Sequence, residues 1–248
     1  MSAPPHPLLS RRPHRAVPTL SLGPEATLSL ARLHEICGGA RRSFALYVAA
    51  CLLRDLGPDL PPFTPIWWIS PDWQAEQLYA EGVVRFIGPE RLIFVRPKRA
   101  EDVLWTLEEI LRSGTAPLAV ADIPGLPSLT SVRRLHLAAE TGTEAGRAPL
   151  GLLLTPGAGG AQGVESRWRC EADHASRPAG WQLDRLRARM EPPRSWHLAE
   201  ANEGYPRSRF AMALARPARA LQPTARVQAT PAGQQPSGPA PPARLNSA

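Results

Sequence analysis

"RLHEICGGARRSFALYVAACLL", Arg32–Leu53, decides the reading of the fold. Leu33–Ile36 has the apolar character of a short strand, Gly38 and Gly39 break it, and the run from Phe44 to Leu56 puts Phe44, Val48, Cys51, Leu52 and Leu56 on one helical face. Strand, glycine turn and helix in that order are the setting of a phosphate-binding loop. Such a loop needs backbone N–H groups curled around the phosphates, a Lys for the outer phosphates and a Ser or Thr for magnesium, spread over G-x-x-x-x-G-K-[ST]. Between Ile36 and Phe44 there is only "CGGARRS", which is too short and has no Lys. Ser43 stands where the magnesium ligand belongs, but Arg42 before it delivers charge with a different geometry from Lys.

Outward from this stretch, short apolar strands alternate with helical patterns. "PIWWIS" (65–70), "LIFV" (92–95), "PLAVA" (117–121) and "LGLLL" (150–154) read as strands of a sheet covered on both faces. Helices are expected around Gln74–Glu81 and over 100–114 and 130–142. The second carries Glu101 and Asp102 in its first turn and Gly114 as its stop. Strands joined by helical crossovers make a parallel α/β sheet. After the Gly-rich break 156–163, "ESRWRCEAD", "GWQLDRLRARM", "SWHLAEA" and "RFAMALA" alternate bulky apolar with charged residues, as antiparallel strands with one wet face do. The organisation predicted is a Pro/Arg-rich disordered tail over 1–24, an α/β core over 25–155, a small β-rich part of the same domain over 164–216, and a disordered basic tail over 217–248.

Charge follows that division. No Asp or Glu precedes Glu25 or follows Glu203, so the ends carry nine Arg unopposed, whereas residues 25–203 hold 20 basic and 22 acidic side chains. The basic pI belongs to the ends, and the core is no basic nucleic-acid platform. Cys37, Cys51 and Cys170 have neither metal-ligand nor disulfide spacing, as suits a reducing compartment. No signal-peptide core or membrane-length apolar run occurs, which predicts a cytoplasmic protein. The six histidines lack metal-ligand spacing, and no metal is expected. Cys37, beside the glycines, reads as a buried filler rather than an activated thiol.

The ordered set of segments resembles the RecA family and, within it, the ImuA proteins of damage-inducible mutagenesis, distant relatives of SulA-type division inhibitors. "RLHEICGG" looks like the strand entering the RecA phosphate loop. "WISPDWQAEQLYA" aligns with the segment after the second RecA strand and puts Asp72 at the catalytic-glutamate position. "RPKRAEDVLWTLEEILRSG" with "PLAVADIPGL" puts Asp122 at the Walker B position, and "RRLHLAAETG" and "WQLDRLRARMEPPRSWHLAE" look like ImuA. The likeness spans roughly Leu28 to Ala215 and neither end.

It implies a RecA-like sheet and a non-catalytic adaptor of the SOS response, without cofactor, supporting error-prone translesion synthesis. Implied partners are ImuB (an inactive polymerase-fold protein), the error-prone replicative-type polymerase and RecA, with nucleoid association after damage. DNA would be met indirectly or through the basic ends. Gly38, Gly39, Arg41, Arg42, Ser43, Asp72 and Asp122 form the expected remnant of a nucleotide pocket. Solvent is expected to screen the arginine pair, and Asp122 to cap a strand end.

Trp67, Trp68 and Trp105 are expected in the core. In the late strands Trp168, Trp181 and Trp196 sit among arginines, which fits plain alternation, a protein interface or stacking on single-stranded bases, in that order. Candidate partner-binding residues are Trp181, Arg185, Arg187, Arg189, Trp196, Arg207, Arg209, Arg216 and Arg219. Two alternatives remain open: a RecA-like ATPase with weak magnesium–ATP binding through Arg41, Arg42, Ser43, Asp72 and Asp122, and a SulA-like division inhibitor.

Overall fold

The computed structural model describes residues 18–57, 61, 63–175, 179–200 and 210–214. The α/β class is as expected. The chain opens with a hairpin, β1 (Thr19–Gly23) and β2 (Ala26–Ser29), and continues through β3 (Leu33–Cys37), α1 (Arg41–Asp55) and β4 (Ile66–Ile69). Then follow α2 (Ala80–Val84), β5 (Leu92–Val95), α3 (Ala100–Ser113), β6 (Leu118–Asp122), α4 (Leu129–Ala145) and β7 (Leu150–Leu154). Four further strands complete it: β8 (Ser166–Asp173), β9 (Gly180–Ala188), β10 (Arg194–Glu200) and β11 (Phe210–Leu214). Among the described residues, nine strands form one sheet in the order β11-β10-β9-β8-β3-β7-β6-β4-β5. From β8 to β5 all pairs are parallel; from β8 to β11 they are antiparallel.

Strands β6, apolar up to its terminal Asp122, and β7, apolar throughout, lie mid-sheet and are buried along their whole length, which is why they lack alternation. One face packs on α1 and the hairpin, with Phe44, Val48, Leu52, Trp168 and Trp196 in that core; the other packs on α3 and α4 through Leu107, Leu111, Val132 and Leu135. Burying each large side chain there stabilises by about 1.5–3 kcal/mol. Helices α3 and α4 meet backbone to backbone: a Cβ on Gly142 would lie 2.0 Å from the carbonyl oxygen of Leu111. A side chain there would force the helices apart.

Three expectations need correction. The stretch 18–24 is not tail, because Leu20 and Leu22 alternate along β1 and are buried; the flanking prolines disguised a strand. The helix expected around Gln74–Glu81 starts only at Ala80 and ends at Val84; before it the chain makes a turn, with Gln74 N–H on the Pro71 carbonyl and Asp72 N–H on the Pro97 carbonyl. The late strands belong to the same domain, as expected: β8 pairs directly with β3 and carries the main sheet onward. Trp68 is buried, but Trp105 is 59% exposed, since the apolar face of α3 is carried by Val103, Leu107 and Leu111.

His34 is buried and structural. Trp168 Nε1–H donates to Ser166 Oγ (2.8 Å), whose hydroxyl faces His34 Nδ1 (2.6 Å), while His34 Nε2–H donates to the Ser29 carbonyl (2.9 Å). This chain uses the neutral imidazole, and burial lowers the His34 pKa to about 4. The unfolded chain therefore takes up a proton near pH 6.5 that the folded one refuses. The stabilisation is complete above about pH 6.5 and is lost as pH falls toward 4, in all about 3 kcal/mol. Urea titrations at pH 7 and pH 4.5 should show a smaller pH dependence for His34→Gln than for the parent chain.

Candidate functional site

The turn after β3 is three residues long, Gly38 to Ala40, before α1 begins at Arg41. Gly38 adopts φ +94°, and a Cβ on it would lie 2.4 Å from the carbonyl oxygen of Cys170. Only glycine fits so tight a return. Each N–H of this turn already has an acceptor within the chain. Gly38 donates to the Gly157 carbonyl (3.2 Å), Ala40 to the Cys170 carbonyl (3.0 Å) and Arg41 to the Gly38 carbonyl (3.3 Å). Gly39 donates to the Glu171 carboxylate at 3.0 Å. Helix α1 has no capping side chain and two arginines in its first turn, an unfavourable start against the positive end of its dipole. The Glu171 carboxylate sits where an anion is favoured and partly offsets that start.

The arginine pair is not screened by solvent, contrary to expectation. Arg42 Nε donates to Asp122 Oδ2 at 2.6 Å and Arg42 Nη1 to Glu76 at 2.5 Å; Arg41 Nε lies 3.6 Å from Asp122 Oδ1. Asp122 does not cap the strand end; it is a buried counter-ion whose side chain is 2% exposed. Burial opposes the Arg42 charge, but Asp122 and Glu76 outweigh it and hold its pKa above the ordinary value. The hydrogen bond from Arg42, then the charges of both arginines, hold Glu76 below the usual carboxylate range. Ser43 is partly buried in the first turn of α1. Asp72 is exposed in the turn after β4; the acid that reaches the arginines from this segment is Glu76, four residues on.

A second acid escaped notice in the sequence. Glu35 on β3 is fully buried and accepts from Thr155 Oγ1 (2.8 Å), Gly160 N–H (2.7 Å), Ala161 N–H (3.0 Å) and Arg167 Nε. It fastens the Gly-rich loop 156–163 against the closed turn. The signal was available: a carboxylate within a strand of a doubly covered sheet requires partners. Cys37 is buried; burial, then the Glu35 charge, push its thiol pKa up, opposite to what a nucleophile needs.

The partner-binding candidates separate. Trp196 and Arg185 are buried. The Arg185 guanidinium lies 5.6 Å from the Trp168 ring centre and 5.1 Å from that of Trp196, donates to the Pro192 carbonyl (3.1 Å) and pairs with Glu191. Trp196 Nε1–H donates to the Pro24 carbonyl at 2.9 Å. Both therefore clamp the N-terminal hairpin to the sheet and offer nothing to a partner. Arg187 and Arg189 are exposed. Trp181 is partly exposed and packs against Phe86 and Phe210. Arg207, Arg209, Arg216 and Arg219 lie outside the described residues.

No helix of the described residues is long and apolar enough to cross a membrane, and no group of three or more His, Cys, Asp or Glu placed to hold a metal occurs among them. No family model matches the chain, and no curated protein matches it. Among solved structures, SulA from Pseudomonas aeruginosa is similar over 50% of this chain and 98% of its own, at 20% identity and a TM-score of 0.37.

Proposed function

We propose that this chain is a non-catalytic adaptor of the ImuA type, supporting error-prone translesion synthesis by contact rather than by turnover. The observation that carries the non-catalytic part is the closed turn. From Gly38 to Arg41 every backbone N–H has an acceptor inside the chain, and the cationic pair is neutralised by Asp122 and Glu76. A phosphate would have to displace Glu171 and break backbone bonds without a lysine to compensate. The partner assignment to ImuB, the error-prone polymerase and RecA rests on the resemblance of the segments quoted above.

One surface supports the contact reading. Among the described residues, β5 pairs with β4 alone, so its outer edge presents open N–H and C=O groups. "LIFV" holds no charge, and Phe94 is 46% exposed. Apolar edges left uncovered are templates for adding a strand. RecA protomers associate edge to edge, and β5 is the edge by which this chain would join such an array.

The test is ultraviolet-induced mutation frequency in a strain lacking the gene, complemented with the full chain or with Phe94→Glu. The full chain restores induced mutagenesis, and Phe94→Glu fails to while keeping its unfolding free energy within about 0.5 kcal/mol of the parent. Induced mutagenesis that never depended on the gene would end the adaptor reading, and filamentous cells on overexpression would favour division inhibition instead.

A further inference from the structure

A cavity of about 280 Å³ opens between the segment 77–86, the first turns of α1 and the inner side of β9. Its aromatic walls are Tyr79, Phe86 and Trp181, and its cationic side chains are Arg42 and Arg85. Among the described residues, no Asp or Glu lines it. Arg42 is held by the buried Asp122 and by Glu76, whereas Arg85 pairs with Glu200, 45% exposed, from outside the lining.

We propose that this cavity is a docking site for an acidic segment of a partner protein, one in which an Asp or Glu lies close to a bulky apolar side chain. The apolar side chain packs among Phe86, Trp181 and Tyr79. The carboxylate competes with Glu200 for Arg85. Trp, Tyr and Arg are the residue types that dominate interface energetics, and here they converge on one concavity. Exposed ion pairs such as Arg85–Glu200 hold their partners weakly, so exchanging one carboxylate for another costs little. Charge argues against a basic occupant. The closed turn argues against a nucleotide, since no phosphate cradle adjoins the cavity. The inference extends the contact reading above without depending on which cellular process it serves, so failure of the complementation test leaves the binding measurement below intact.

Gly82 supplies a clean test. It lines the cavity, and a Cβ on it would meet nothing within 4 Å, so a side chain there fills the space without striking the fold. A library of acetylated hexapeptides built from Asp, Glu, Leu, Phe and Gly is panned against the full chain. The best binder is then labelled with fluorescein and titrated by anisotropy. It is expected to carry a carboxylate within three residues of Leu or Phe, and to bind Gly82→Trp and Arg85→Glu at least about tenfold more weakly. Both variants should melt like the parent. The proposal is overturned if no peptide binds tighter than about 1 mM or if the Asn/Gln counterpart binds equally well. Undiminished binding to both variants would overturn it too, since the basic ends would then be the binding element. Displacement of the peptide by magnesium–ATP would overturn it in favour of a nucleotide pocket.

Discussion

Replacing Glu35 with Ala lowers the stability of the fold by about 3–5 kcal/mol, the cost of leaving a buried charge without its partner. The carboxylate is fully buried, and its removal strands Arg167 Nε, Thr155 Oγ1 and the N–H groups of Gly160 and Ala161 together. Urea titration at pH 7 measures it. Glu35→Gln, which keeps the shape and one acceptor, should fall between Ala and the parent. The double variant Glu35→Leu with Arg167→Leu should recover part of the loss, because an apolar pair asks for no compensation. A cost for Glu35→Ala below about 1 kcal/mol would mean that the loop 156–163 is held by something else.

Trp196→Ala is expected to cost about 3–5 kcal/mol, the range for truncating a buried large aromatic side chain. Three losses coincide: the contact with Trp168 at 5.2 Å between ring centres, one face of the Arg185 sandwich, and the hydrogen bond to the Pro24 carbonyl that fastens the hairpin. Arg185→Lys should restore little of what Arg185→Ala loses, since a flexible ammonium replaces neither the planar stacking nor the forked donors. Equilibrium unfolding of the two single variants and the double variant gives the coupling between Trp196 and Arg185. A Trp196→Ala chain as stable as the parent but defective in partner binding would contradict its assignment to the core.

Particular residues explain what the sequence made legible. The strands Ile66–Ile69, Leu118–Asp122 and Leu150–Leu154 are apolar runs bounded by turns, and their composition alone implies a sheet covered on both sides. The shortness of the turn between Ile36 and Phe44 was likewise a matter of counting. Its closure was not, because the acceptors come from far along the chain: Gly157, Cys170 and Glu171. The same distance hid the pairing of Arg42 with Asp122.

Arg185 is the instructive miss. Trp181, Leu183 and Arg185 share one face by simple alternation on β9, and a shift in register between Arg167 and Trp168 sets Arg185 directly opposite Trp168. The rule of aromatic in and arginine out therefore fails at one position, where two indole faces and a carboxylate make burial of a guanidinium tolerable. The hairpin at 19–29 was missed for another reason. Composition rich in proline and arginine dominates the first 24 residues as a block, and five residues of alternation at its end are lost in the average.

The central claim is that the phosphate loop is closed by the chain's own groups, so that the protein works by contact. Isothermal titration of the full chain with magnesium–ATP tests it most directly. The account predicts no saturable heat up to about 1 mM nucleotide. One-to-one, magnesium-dependent binding that Asp122→Ala abolishes would contradict it and restore the ATPase reading.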